Sequence, residues 1–263
     1  MLEIAHIINP VRVDRSSDLR AAQPVTFESM RTAREFAAQQ TKVTHFTAQF
    51  PEDRSVIPPD FTPTPDLERS VLDIESFRVA RKLPLMKDIL DRLYRETTAE
   101  YLIYTNVDIA LQPYFYRSVS KLAEQGFDAF VINRRTIPDT YRRLGDMPCM
   151  YSEVGKKHPG WDCFVFKRDL YPEFNLGTAC IGSGWIGRVM ITNMACFSGK
   201  FDVFKEMHVT FHIGEEMVWK SRQFFEYLEH NKNECKKILV DFDEKYGPFN
   251  RETLPGRFFR LLE

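Results

Sequence analysis

The first fifty residues place a helix-length segment between two apolar segments of strand length. Residues 3–11 form an apolar run that stops at Asn9-Pro10, where proline cannot continue a hydrogen-bond ladder. Thr26 can cap a helix that continues to about residue 40, and residues 42–50 are a second apolar strand. A strand, a helix and a strand in this order predict an α/β fold, because parallel strands are usually joined by a helical crossover.

The same alternation continues through the first half of the chain. The pattern predicts helices over 83–96 and 113–126 and strands at 101–104 and 127–133. Residues 51–65 contain five prolines, so we expect this segment to be an extended surface loop without regular structure.

The second half of the chain has short apolar runs and a weaker helical period. These runs lie at 161–167, 179–181, 190–197 and 208–213, and residues 221–240 are amphipathic enough for a closing helix. The 263 residues contain no internal repeat and no low-complexity tract, and a chain of this length commonly folds around one core. We therefore expect a single domain over 1–263.

Charge and hydropathy exclude several classes of protein. The 36 basic and 37 acidic residues nearly cancel, which argues against nucleic acid as a main partner. The longest apolar stretches fall short of the roughly 20 residues that a membrane span needs, and the first residues lack a signal-peptide pattern. We expect a cytoplasmic protein without a membrane span, whose five widely spaced cysteines are buried free thiols.

Polar side chains follow the strand predicted at 101–104. Asn106 and Asp108 are two residues apart, so at the end of a strand they point the same way and present an amide oxygen and a carboxylate to one site. Oxygen ligands of this kind bind magnesium or manganese, and ligands of open α/β sheets bind at the carboxyl ends of the strands. An Asn-x-Asp sequence after a strand is also common in turns, and this alternative stays open.

The segment Tyr104-Thr-Asn-Val-Asp-Ile109 resembles the DxD segment of GT-A glycosyltransferases, with Asn106 where the family commonly has Asp. The resemblance implies a Rossmann-like mixed, mostly parallel sheet flanked by helices, with nucleotide-sugar binding in about 1–135 and acceptor binding in about 136–263. It implies transfer of a sugar from a nucleoside diphosphate sugar to a hydroxyl acceptor. The residues that would bind the donor are Asn9, Pro10, Val11, Arg81, Lys87, Asn106 and Asp108.

The resemblance also implies a divalent metal ion, Mn²⁺ or Mg²⁺, held by Asn106, Asp108 and a later histidine. His208 and His212 are the candidates, and we favour His212 because Gly214 after it suits a loop close to phosphate. A histidine that is hydrogen-bonded in the core is the alternative. The neutral Asn106 gives the ion one negative charge fewer than an aspartate would.

On the acceptor side, the resemblance implies roles for Gly160, Trp161 and Asp162, and Trp185 lies in a glycine-rich segment suited to a loop facing a ligand. Asp162 is our choice for the general base or the group that orients the acceptor. The alternative is that Trp161 belongs to the core and Asp162 accepts a hydrogen bond at the edge of a strand.

Two other functions remain open from the sequence. A nucleotidyltransferase also uses a metal and a diphosphate, but it normally has a glycine-rich loop after the first strand, and here that segment has no glycine. A carbohydrate-binding or scaffold protein with the same fold and no catalysis is the non-enzyme alternative. The 22 phenylalanines leave room for a homodimer face.

Overall fold

The computed structural model describes residues 1–215, 222–250 and 252–262. The strands are β1 (Leu2–Ile8), β2 (Thr41–Thr47), β3 (Thr62–Pro63), β4 (Tyr101–Thr105), β5 (Ala110–Leu111), β6 (Ala129–Ile132), β7 (Arg135–Ile137), β8 (Lys156–Lys157), β9 (Cys163–Lys167), β10 (Phe201–Phe204) and β11 (Thr210–Ile213). The α-helices are α1 (Leu19–Ala37), α2 (Met86–Glu96), α3 (Phe115–Glu124), α4 (Met147–Ser152), α5 (Ile186–Phe197), α6 (Phe225–Tyr246) and α7 (Leu254–Arg260).

Seven strands form the central sheet, in the order β10-β6-β9-β4-β1-β2-β3. Four of the six neighbouring pairs are parallel, and the other two pair β9 antiparallel with β4 and with β6. The predicted fold class, a mixed and mostly parallel sheet flanked by helices, is confirmed.

Helices cover both faces of the sheet, and β4 shows how its residues are divided between them. Leu102 and Tyr104 pack in one core with α2, α5 and α6, whereas Tyr101 and Ile103 pack in a second core with α1 and α3. Successive side chains of a strand point to opposite faces, so a fully apolar strand is what a sheet covered on both sides requires.

A second sheet has four short strands in the order β5-β11-β7-β8. β5 follows β4 and β7 follows β6 after short turns, so this sheet extends from the carboxyl edge of the central one. β11, which carries His212, pairs with β5 and β7. The small sheet thereby brings a late part of the chain back to the end of β4.

Several sequence predictions of element bounds were wrong. α1 begins at Leu19 and contains Pro24, and Thr26 is buried inside the helix, where it caps nothing. The burial of Ala22, Val25 and Met30 against the sheet stabilises a helix that its proline disfavours.

The proline-rich segment is partly regular, because residues Pro51–Val56 form a 3₁₀ helix and β3 lies at Thr62–Pro63. Residues 190–197, predicted only as a short apolar run, belong to helix α5. The predicted closing helix exists as α6 and continues to Tyr246, while Ser221, its predicted first residue, lies outside the described residues.

None of the described helices is long and apolar enough to cross a lipid bilayer. Cys163, Cys180 and Cys235 are buried free thiols, as expected, whereas Cys149 is an exposed one.

Candidate active site

The direction of β9 brings three chain segments to one edge of the central sheet. Cys163, the first residue of β9, pairs with Thr105 at the end of β4 and with Ile132 at the end of β6. The residues just before β9 therefore lie beside those that follow β4 and β6. The polar residues at this edge are Asn106, Asp108, Asn133, Arg134 and Asp162, which we call the polar cluster.

The carboxylate of Asp162 has a hydrogen bond at one oxygen and an ion pair at the other, and Oδ2 has no hydrogen-bond partner among the described residues. Asn106 Nδ2 donates a hydrogen bond to Oδ1 over 3.4 Å, and Arg134 Nη1 forms an ion pair with Oδ2 at 3.2 Å. His158 Nδ1 lies 3.9 Å from the same Oδ2 atom. Asp162 is 9% exposed and Arg134 is 7% exposed, so solvent screens their attraction only weakly. The result is a carboxylate with a fixed orientation.

The side-chain amide of Asn106 is oriented by Tyr104, a residue of the preceding strand β4. Tyr104 OH donates a hydrogen bond to Asn106 Oδ1 over 3.0 Å. Burial, together with the negative charges of Asp108 and Asp162, raises the pKa of Tyr104, so its hydroxyl keeps the proton it donates. The amide nitrogen of Asn106 is thereby left to face Asp162.

Asp108 contacts the predicted histidine ligand. His212 Nε2 lies 3.3 Å from Asp108 Oδ2, while His212 Nδ1 lies 2.8 Å from the carbonyl oxygen of Gly214. A carbonyl oxygen only accepts, so Nδ1 carries a hydrogen, and Nε2 is the nitrogen that faces the carboxylate. Nε2 either carries a proton and donates it to Asp108 as an imidazolium, or leaves its lone pair for a cation between the two side chains.

The second oxygen of Asp108 has unused hydrogen-bonding capacity. Asp108 Oδ1 is buried and has no hydrogen-bond partner among the residues that the structure describes. Burial acts to raise the pKa of Asp108, but the hydrogen bond and charge of His212 and the charge of Arg134 outweigh it and lower the pKa below its usual value. Asp108 is therefore an ionised carboxylate with ligand capacity.

These atoms suit a divalent cation whose coordination shell is completed by oxygens of a bound ligand and of water. Within the described part of the chain, no group of three or more His, Cys, Asp or Glu side chains is placed to hold a metal ion. Asp108 and His212 provide two ligands, and Mg²⁺ is commonly bound by one or two carboxylates together with phosphate and water oxygens. The donor set suits an ion that binds with a diphosphate.

A cleft opens where β1 and β2 end, at the same edge of the sheet. Its volume is about 200 Å³. It shares Arg12, Glu52 and Asp53 with an open depression of about 590 Å³. β1 pairs with β4 in parallel, so the cleft and the polar cluster lie at neighbouring strand ends. The cleft is lined by Asn9, Val11, Arg12, Phe50, Glu52, Asp53, Lys82 and Pro84.

The walls of the cleft are tied together by hydrogen bonds. Asn9 Nδ2 donates to the carbonyl oxygen of Ala48 over 2.6 Å, and the backbone of Val11 forms two hydrogen bonds with the side chain of Gln23. The backbone N–H of Arg12 donates to Asp53 Oδ1 over 2.7 Å. Burial raises the pKa of Asp53 despite that hydrogen bond. The predicted residues Asn9 and Val11 line the cleft, and Pro10 is buried between them.

Two predicted donor-binding residues lie elsewhere. Arg81 stacks on the Phe224 ring at 4.5 Å and donates a hydrogen bond to Gln223 Oε1 over 2.6 Å. Lys87 forms an ion pair with Asp91 at 2.6 Å on the exposed side of α2. Neither lines the cleft, and Lys82 takes that place, with its Nζ 3.9 Å from the centre of the Phe50 ring.

Two of the predicted acceptor-side residues, Trp161 and Trp185, lie next to the half-buried Arg188. The guanidinium carbon of Arg188 lies 4.3 Å from the Trp185 ring centre and 5.7 Å from that of Trp161. Trp185 has a φ of 71°, in the left-handed region that non-glycine residues rarely adopt. The backbone N–H of Gly160 donates to His158 Nδ1 over 3.0 Å, which folds the turn before Asp162. Trp161 packs partly on the core.

Sequence reasoning missed Asn133, Arg134, Phe50, Asp53 and Lys82. Phe50 and Asn133 are the last residues of the strands predicted at 42–50 and 127–133, Arg134 comes directly after the second strand, and Asp53 lies three residues beyond the first. The strand-end rule that selected Asn106 and Asp108 applies to this edge of the sheet as well. The burial of Arg134 depends on β9 lying beside β6, and the sequence pattern does not show that pairing.

No protein-family model matches the chain, and no curated protein matches its sequence. Among solved structures, residues 1–349 of S. aureus TarS in complex with UDP-GlcNAc match with a TM-score of 0.50 and 9% identity, over 95% of this chain and 74% of that one. The same TarS segment in complex with UDP matches with a TM-score of 0.49 and 8% identity, over 95% and 73%. The chain has a GT-A-like fold. At this identity the likeness concerns the fold alone.

Proposed function

We propose that the protein is a glycosyltransferase that moves a sugar from a nucleoside diphosphate sugar to a hydroxyl acceptor. The observation that carries the proposal is the arrangement at one sheet edge, where the cleft at the ends of β1 and β2 adjoins the polar cluster and His212. Ligands of open α/β sheets bind outside the carboxyl ends of the strands. The fold is shared with TarS, which was crystallised with the nucleotide sugar UDP-GlcNAc.

The cleft takes the nucleoside of the donor. Asn9 and Val11 form its floor, and Phe50 and Asp53 offer an apolar ring and a carboxylate at the end of β2. Lys82 lies at the same cleft with about half of its side chain exposed, and its ammonium forms an ion pair with Glu52 at 2.6 Å that a phosphate oxygen would replace. The sugar then extends along the sheet edge toward Asp162.

Asp108 and His212 would hold a divalent cation, Mn²⁺ or Mg²⁺, together with the diphosphate of the donor. Bound there, the ion would supply positive charge that stabilises the departing diphosphate more in the transition state than in the ground state. Asp108 Oδ1, buried without a hydrogen-bond partner among the described residues, is the oxygen best placed to bind it. Asn106, the third predicted ligand, has its amide oxygen engaged by Tyr104.

Asp162 is the general base. The acceptor hydroxyl oxygen forms a bond to the anomeric carbon, the bond from that carbon to the diphosphate oxygen breaks, and the hydroxyl proton passes to the Asp162 carboxylate. Nucleoside diphosphate is the leaving group. Gly160, Trp161 and Trp185 lie on the acceptor side, where an aromatic ring can stack on a sugar face.

A thermal-shift screen separates this function from the two alternatives. UDP or GDP with manganese raises the melting temperature of a glycosyltransferase, a nucleoside triphosphate raises that of a nucleotidyltransferase, and neither affects a scaffold protein. Asp108→Ala tests the site itself, with the exposed Asp169→Ala as the matched control. The proposal requires Asp108→Ala to lose metal-dependent hydrolysis or transfer of the nucleotide sugar, and full retention of that activity would refute it.

A further inference from the structure

We infer that Asn106 is a positioning residue that orients the Asp162 carboxylate, and is no ligand of the metal ion. The geometric part of this inference stands on the contacts alone, whereas its catalytic consequence rests on the proposed function. The side chain lies between a donor and an acceptor. Tyr104 OH donates to its oxygen, and its nitrogen donates to Asp162.

The two contacts fix which end of the amide faces which partner. Asp162 is a carboxylate and only accepts, so the Asn106 atom that faces it must be the NH₂ group. The buried Tyr104 hydroxyl keeps its proton and donates it to the amide oxygen. A rotated amide would place oxygen against oxygen at Asp162, so only one orientation satisfies both partners.

The same contacts explain why an amide stands at this position. Aspartate has the same shape as asparagine, but at residue 106 it would place an acceptor oxygen where Nδ2 now lies 3.4 Å from Asp162 Oδ1. Arg134 is already engaged on the other oxygen, at 3.2 Å, and offers one guanidinium for two carboxylates. Asn106 and Asp162 are thus a matched pair, in which Asn106 donates a hydrogen bond to Oδ1 and the Arg134 guanidinium forms an ion pair with Oδ2.

A double-mutant cycle in thermal stability tests the pair without any assumption about activity. Asn106→Asp should lower the melting temperature by about 3–6 °C through repulsion between the two carboxylates. Adding Asp162→Asn should recover part of this loss, because the amide and the carboxylate have exchanged places. Asn233→Asp, on the exposed face of α6, controls for the added charge and should leave the melting temperature unchanged. Strictly additive losses from the two substitutions would overturn the pairing.

Metal affinity and kinetics separate positioning from ligation. If Asn106 bound the ion, Asn106→Asp would add a charged ligand and tighten Mn²⁺ binding measured by electron paramagnetic resonance, and that result would overturn the inference. As a positioning residue, the Asp variant should keep Mn²⁺ affinity within about threefold and lose about 10- to 100-fold in kcat, with KM for the donor little changed.

Tyr104→Phe offers a milder variant that keeps the core packed. It removes only the hydroxyl that holds the Asn106 amide, so a smaller loss confined to kcat is expected, and an effect confined to KM would contradict the inference. If the wild-type protein acts on no nucleotide sugar, the proposed function fails, and the stability cycle still decides whether Asn106 and Asp162 are coupled.

Discussion

His212 Nε2 lies 3.3 Å from Asp108 Oδ2, although the two residues are 104 positions apart in the sequence. This contact joins the turn after β4 to β11 of the small sheet. Because Nδ1 of the same ring is bound to the carbonyl oxygen of Gly214, the ring is held with Nε2 toward the carboxylate. Metal-binding histidines are commonly oriented in this way through their other nitrogen.

His212→Ala should therefore weaken Mn²⁺ binding by about tenfold or more, since one of the two proposed protein ligands is lost. The control is His208→Ala, because His208 lies near the same strand and bonds to Gln112 Nε2 at 3.1 Å. Electron paramagnetic resonance titration with Mn²⁺ and a nucleoside diphosphate measures both. Equal affinities for the two variants would remove His212 from the metal site.

Asp162→Asn should lower kcat for transfer by about 100-fold or more, because the amide cannot take the hydroxyl proton. The affinity for nucleoside diphosphate, measured by calorimetry, should change little, since the cleft proposed to bind the donor lies at the ends of β1 and β2. Asp169→Asn, on the exposed turn after β9, is the matched control. Wild-type kcat in the Asp162 variant would exclude it as the base.

Lys82→Ala should weaken nucleoside diphosphate binding by about fivefold to tenfold, because it removes a cation from the wall of the cleft. Lys87→Ala should leave that affinity unchanged, since Lys87 does not line the cleft and lies on the exposed side of α2, although both lysines are ion-paired with a carboxylate. Both variants remove one lysine charge within five residues of each other. If Lys87 proves the more important of the two, the cleft is not the donor site.

Two buried histidines should make the fold sensitive to acid. Burial, and then the charge of Arg34, lowers the pKa of His45 to about 3, and burial together with His45 lowers that of His6 well below its usual value. Both rings bond to the Tyr116 hydroxyl, at 2.8 Å from His6 and 3.1 Å from His45. In the folded protein they therefore remain neutral where unfolded histidines would take up protons.

A pKa that is lower in the folded state stabilises the fold fully above about pH 6.5, the ordinary histidine value, and this contribution is lost as pH falls below it. As the pH falls from about 6.5 to about 5, the free energy of unfolding should decrease by about 2 kcal/mol for each of the two histidines. Urea unfolding across this range measures the slope. His45→Gln should flatten the slope, and an unchanged slope would show that His45 does not carry it.

The sequence predicted those parts of the fold and site that depend on local pattern. The strand at 101–105 and the polar residues after it follow from a short apolar run and the strand-end rule, and so do Asn9 and Val11. The start of α1 failed because Pro24 resembles a helix breaker, and only tertiary burial shows that the helix continues through it.

Other parts of the candidate site depend on where a helix begins or on which distant strands pair in the sheet. Helix α2 starts at Met86, later than predicted, which places Lys87 on the exposed side next to Asp91 and leaves Lys82 at the cleft. Arg134 forms its ion pair with Asp162 only because β9 runs antiparallel between β4 and β6. The five-residue apolar run of β9 does not show which strands it pairs with.

Because β9 lies between β4 and β6, it also determines whether this chain can be divided into separate fragments. β4 and β6 come from the first half of the sequence and do not touch each other, because a strand from the second half separates them. A fragment cut at residue 135 would leave two open strand edges in the middle of the sheet and would lack Asp162, the proposed general base. Dissection into a donor-binding piece and an acceptor-binding piece should therefore give two inactive, aggregation-prone polypeptides.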